Sequence, residues 1–135
     1  MGMVAPSTDE PSAVIARYFD VVGDLASTEA DLRAILHPDA VFRELPNPIS
    51  PHGHERTVDE TVEGFLAGKA RLTAQRIDIH EIVGGGERFA VRSTWRGTIG
   101  DTEIVAHMAG FLTVRDGLIV EHDTYDCYEP FTLAG

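Results

Sequence analysis

The chain has 135 residues, enough for one domain whose core needs no disulfide or metal to hold it. Its 22 acidic residues outnumber its 11 basic ones, and the formal charge of -11 repels phosphate backbones and anionic surfaces, so neither nucleic acid nor membrane is an expected partner. The single Cys127 excludes an internal disulfide framework and fits a reducing cytoplasm, and no apolar run reaches the length of a membrane span.

The start, MGMVAPSTDEP, lacks the basic region and apolar core of a secretory signal, and residues 1–10 read as a flexible tail. Pro11 suits a first helical turn, and Val14, Tyr18, Val21 and Val22 then fall on one stripe of a helix that Gly23 ends. Ser27 or Thr28 caps a second, short helix through Leu36, with Pro38 beyond it. Val41 to Pro46 reads as a strand with Phe42 and Glu44 on one face, followed by the irregular loop PNPISPHGH. Thr57 with Glu60 is a capping-box signature for a third helix that fades near Gly68. The period then changes. Arg76 to Val83, Arg88 to Thr98, Glu103 to Val114 and Leu118 to Tyr128 read as four consecutive strands. Helices first and strands after them predict one α+β domain over residues 11–135, with three helices on one face of a curved antiparallel sheet and a small-molecule cavity in its concavity.

The last hairpin organises this reading. Asp116-Gly117 between β-rich runs predicts a two-residue type I′ turn. With Arg115 opposite Leu118, an uninterrupted ladder places Gly110 opposite Asp123, Met108 opposite Tyr125 and His107 opposite Asp126. Met108, Gly110, Leu112, Asp123, Tyr125 and Cys127 then share one face, and His107, Phe111, His122 and Asp126 the other. On that register Asp123 lies on a mostly apolar face, where a carboxylate needs a partner, a raised pKa or a job, and Gly110 leaves room beside it for a ligand.

The order of elements, with ARYFDVV, HPDAVFRELPNP, TWRG, FLTVRDGLIVE and the ending DTYDCYEPF, resembles the SnoaL-like polyketide cyclases within the nuclear transport factor 2-like superfamily. The resemblance covers nearly the whole chain after the tail and implies a cone-shaped, strongly curved sheet with three N-terminal helices in its concavity. The superfamily also holds ketosteroid isomerases, epoxide hydrolases and non-catalytic members, so the fold alone does not name a reaction. Similarity to the isomerases puts Tyr18 at an oxyanion-binding position and Glu44 at that of the general base, with Gly110 where those enzymes carry a protonated aspartate. Similarity to limonene epoxide hydrolases puts Asp123 at a catalytic acid, with Ser93 and Trp95 replacing the arginine and second aspartate. In the polyketide cyclases a general acid lies late on the last strand, where Cys127 falls here and Asp126 stands one residue away.

Asp123, Glu44 and Tyr18 are accordingly the expected catalytic residues, with Phe42, Trp95, Met108, Gly110 and Tyr125 lining a pocket for a hydrophobic, oxygenated molecule such as a polyketide. Core packing and ordinary hydrogen bonding explain each of them equally well. His52 and His54 flank Gly53 in an exposed Pro-rich loop rather than forming a zinc site, and Gly84 to Glu87 is a hairpin turn rather than a phosphate loop, so no metal or other cofactor is expected. His107, Phe111, Thr113 and Val120 give the outer side of the hairpin an apolar character that predicts a homodimer. Two functions follow from this reading, a cofactor-independent acid/base enzyme of isomerase, cyclase or hydratase type and a non-catalytic ligand-binding or structural dimer.

Overall fold

A computed structural model describes residues 10–133; the expected tail at residues 1–10 lies, but for Glu10, outside them. Helix α1 (Pro11–Gly23) begins on its proline and buries Val14, Ile15, Tyr18 and Phe19. Helix α2 (Glu29–Arg33) is capped by Thr28, whose side chain accepts from the backbone of Asp31 while the Asp31 carboxylate accepts from the backbone of Thr28. It is one turn long and stops before the predicted Leu36, because the chain there is already in strand β1 (Leu36–Glu44). Strand β2 (His54–Arg56) begins on the last residue of the predicted loop, where the sequence gives no strand signal. Helix α3 (Val58–Arg71) opens on the expected capping box between Thr57 and Glu60 and runs past Gly68. Strands β3 (Ala74–Gly85), β4 (Arg88–Ile99), β5 (Thr102–Arg115) and β6 (Leu118–Tyr128) form the meander.

The six strands make one curved, unclosed sheet in the order β2-β1-β6-β5-β4-β3. Every neighbouring pair is antiparallel except β1 and β6, which run parallel. The helices cover the inward face, where Val14, Ile15, Tyr18 and Phe19 join Leu36, Phe42, Val91, Leu112, Val114 and Ile119 in the core. Each such aliphatic side chain contributes about 1.5–3 kcal/mol by leaving water.

The turn at Asp116-Gly117 has the positive φ values, 54° and 76°, that a type I′ hairpin requires, and Arg115 does pair with Leu118. The uninterrupted register is nevertheless wrong. Val114 pairs with Ile119 but Thr113 pairs with Glu121, so Val120 is an extra residue on β6 and forms a β-bulge. Beyond it every partner moves by one: Gly110 faces Thr124 instead of Asp123, Met108 faces Asp126 instead of Tyr125, and His107 faces Cys127 instead of Asp126. Because side chains alternate, that single insertion exchanges the two faces of β6. His122, Thr124 and Asp126 turn inward, and Asp123, Tyr125 and Cys127 turn outward.

Candidate functional site

The cavity between α1, α3 and the β1–β6 pair has a volume of about 320 Å³ and is lined by Tyr18, Phe42, Glu44, Arg56, Phe65, His122, Thr124 and Asp126, among others. Tyr18 comes from the stripe of α1 that faces the sheet, and Phe42 and Glu44 come from alternate positions of β1. The parallel pairing sets Phe42 beside His122 and Glu44 beside Thr124. Across the antiparallel β1–β2 pair, Phe42 lies opposite Arg56.

Glu44 is held on both oxygens. Arg56 donates to Oε1 at 2.9 Å and Asn47 to Oε2 at 2.8 Å. Two residues beyond Thr124, the carboxyl of Asp126 has no such support: its buried Oδ1 has no hydrogen-bond partner among the described residues. Loss of hydration, followed by the negative charge of Glu44, pushes the Asp126 carboxyl up to about 6. Tyr128 feels the same surroundings. Burial first, then the charges of Asp126 and Glu44, raise its phenol above the ordinary range, so it stays protonated.

The apolar end of the cavity is built on His122. Its ring meets Tyr18, Phe19 and Phe42 edge-on at centroid distances of 5.4, 6.0 and 6.4 Å. Nδ1 lies 2.9 Å from the Tyr18 hydroxyl and Nε2 lies 3.3 Å from Oγ1 of Thr124. Enclosure lowers its pKa to about 4, against a smaller upward pull from Asp123, and the ring is neutral at pH 7. Burial likewise raises the Tyr18 phenol. Gly110 leaves the space this ring occupies, since a Cβ there would lie 2.7 Å from Nε2. The gap expected beside Gly110 is therefore real, but a histidine from the same hairpin fills it.

Of the residues singled out in the sequence, Tyr18, Phe42 and Glu44 meet at this cavity, and Asp123 and Tyr125 do not. Asp123 stands on the outer face, where Arg43 donates to it at 2.9 Å and to Glu121 at 3.0 Å, with Glu55 at 3.6 Å. Tyr125 is 48% exposed and packs edge-on against Phe111 on that same face. Met108 faces inward opposite Asp126. Trp95 lines a separate apolar hollow of about 200 Å³ with Leu72, Ile104 and Tyr128, and its indole donates to Gln75. His107 bonds Thr94 and Glu129 in place of Asp126.

The residues missed were His122, Thr124, Asp126, Arg56 and Tyr128. One signal for Asp126 was present, the nearly aligned acid of the polyketide cyclases, and only the unrecognised bulge turned it to the wrong face. No group of three or more His, Cys, Asp or Glu side chains among the described residues is arranged to hold a metal ion.

Comparison with known proteins agrees with this architecture. Among solved structures, IdmH of Streptomyces antibioticus, a candidate polyketide cyclase, is 26% identical over 87% of this chain and 91% of its own, with a TM-score of 0.70. A loop-truncation variant of IdmH is 28% identical over 87% and 92%, also at 0.70. An epoxide hydrolase of M. tuberculosis resembling limonene epoxide hydrolase shares the fold at 17% identity, covering 84% of this chain and 80% of its own, with a TM-score of 0.70. No curated protein matches. The model of the SnoaL-like domain matches residues 15–122, most of the chain, and the protein belongs to that family.

Proposed function

We propose that this single SnoaL-like domain, residues 11–135, is a cofactor-independent general acid/base enzyme of cyclase, isomerase or hydratase type, acting on a hydrophobic oxygenated compound of polyketide kind. The observation that carries the reading is Asp126, a carboxyl pushed up to about 6 whose buried Oδ1 has no hydrogen-bond partner among the described residues, in the cavity it shares with Glu44, His122 and Thr124. A group poised near neutrality can give a proton to a substrate oxygen or take one from an adjacent carbon. The role expected of Asp123 passes to Asp126, because the bulge sends Asp123 outward to Arg43. Glu44, held by Arg56 and Asn47, is not a free base; its negative charge adds to the burial that raises the Asp126 pKa. Tyr18 contributes through His122.

A second reading, ligand binding without turnover, has one observation in its favour: Arg56 and Asn47 already engage Glu44, leaving one free carboxyl where proton transfer in both directions would use two. Turnover of polyketide-type ketones separates the readings. D126N lowers the rate by about 100-fold or more if Asp126 moves the proton, and the wild-type rate changes with a midpoint near pH 6; D123N, on the outer face, does neither. Loss of ligand affinity in D126N with no turnover in the wild type selects the second reading.

The same proposal makes the protein a cytoplasmic homodimer joined through the outer sheet face, where Phe111 and Tyr125 are each 48% exposed and in contact. Among the described residues no helix is long and apolar enough to cross a membrane. Light scattering at micromolar concentration tests the dimer, and a monomer there contradicts it.

A further inference from the structure

The chain from Tyr18 through His122 to Thr124 holds one proton more than it can use internally. Neutral His122 carries one N–H, and Tyr18 and Thr124 each carry one O–H. Only two contacts join them, at 2.9 Å to Nδ1 and 3.3 Å to Nε2. One hydroxyl proton is therefore left over, on Tyr18 or on Thr124 according to the tautomer of His122. The shorter contact joins a phenol, a stronger donor than an alkyl hydroxyl, to an imidazole nitrogen. That favours Tyr18 donating to Nδ1 and Nε2–H donating to Thr124. The spare proton then rests on Thr124, which lines the cavity and has no other side-chain partner among the described residues.

We propose that the Thr124 hydroxyl is the donor with which the cavity recognises an acceptor oxygen of its ligand, and that His122 and Tyr18 are positioning residues that aim its proton. This deepens the function proposed above and rests on it, because it gives that ligand a chemistry. Thr124 and Asp126 are alternate residues of one strand, so their side chains emerge on the same face roughly 7 Å apart. A ligand that satisfies both carries two oxygen functions at that order of separation, one an acceptor such as a ketone or quinone. Gly110 is part of the device, since only a residue without Cβ lets the His122 ring reach Thr124.

The test compares binding of 1-tetralone and of its hydrocarbon counterpart tetralin to wild type, T124V, T124S and Y18F, together with ¹⁵N spectra of the His122 ring. The wild type prefers the ketone. T124V lowers ketone affinity about tenfold and leaves tetralin within about twofold. T124S retains the preference. Y18F reduces it, because His122 freed from the phenol can accept the Thr124 proton for itself, an effect on selectivity that a merely structural tyrosine would not produce. The ring spectra show the Nε2–H tautomer in the wild type. An Nδ1–H tautomer, or an unchanged ketone preference in T124V, overturns the inference. Failure of both probes to bind the wild type counts instead against the proposed function, and the tautomer then decides this inference without a ligand.

Discussion

Asp123 and Asp126 lie three residues apart on one strand and meet opposite conditions. Asp123 is on the outer face, within water's reach and bonded to Arg43. Asp126 is on the inner face, and its buried Oδ1 has no hydrogen-bond partner among the described residues. The identity of the two side chains is the same, so the difference in their chemistry comes entirely from placement, and placement here depends on one extra residue at Val120. Pairing and hydration hold one carboxylate in a structural ion pair; their absence gives the other a pKa suited to proton transfer.

The strongest test of the comparison is to remove the bulge. Deleting Val120 closes the bulge: with Val114 opposite Ile119 and Thr113 opposite Glu121, the pairs beyond it stay as they are, so His122, Thr124 and Asp126 remain inward and Asp123 outward. The expected loss is about 1–3 kcal/mol, since the strand loses the local twist of the bulge but keeps its partners and its faces. Urea denaturation measures it, and a folded deletion variant in which the Asp126 carboxyl no longer titrates near pH 6 would mean that the pairing beyond Val120 is not the one described. Similar in size is G110A, whose new Cβ collides with the ring of His122. About 1–3 kcal/mol should be lost in the same assay, with changed His122 resonances.

Those two changes also mark where the sequence was legible. Asp116-Gly117 announces its turn because only such residues readily take two positive φ values in succession, and Thr57 with Glu60 announces α3 because the two side chains satisfy each other's backbone donors. The faces of Tyr18, Phe42 and Glu44 follow from helical and strand periods, and the family resemblance sends Tyr18 and Glu44 to the site. Val120 carries no such mark. A β-branched residue fits an ordinary strand as well as a bulge, so the inversion of β6 is visible only once both strands are paired. Nor does anything local announce that β1 runs parallel to β6, or that His54–Arg56 forms a strand and brings Arg56 to Glu44. These are long-range pairings, set by the sheet as a whole.

Subtler substitutions sharpen the comparison by pH. The Asp126 pKa is raised in the folded state, so its contribution to stability is favourable below the unfolded value near 4 and is lost as pH rises through about 6. D126N escapes that loss. Discounted for partial solvent screening, it should be more stable than wild type by on the order of 1 kcal/mol at pH 7, an advantage that vanishes near pH 4. His122 has the opposite sign. With a folded pKa lowered to about 4, it costs stability as pH falls from 6.5 toward 4. The two groups offset each other across that interval, so D126N should also denature more steeply in acid than the wild type. D123N has the smallest effect, under about 1 kcal/mol and weakened by salt, because Arg43 keeps Glu121 and its surroundings are partly exposed. Thermal melts at several pH values and ionic strengths separate the two aspartates.

The most direct measurement is a carboxyl ¹³C NMR titration of Asp126 in the wild type and in E44Q. The account predicts a midpoint near pH 6 in the wild type, moving downward when the Glu44 charge is removed. A midpoint near the ordinary aspartate value of about 4, unmoved in E44Q, would contradict it.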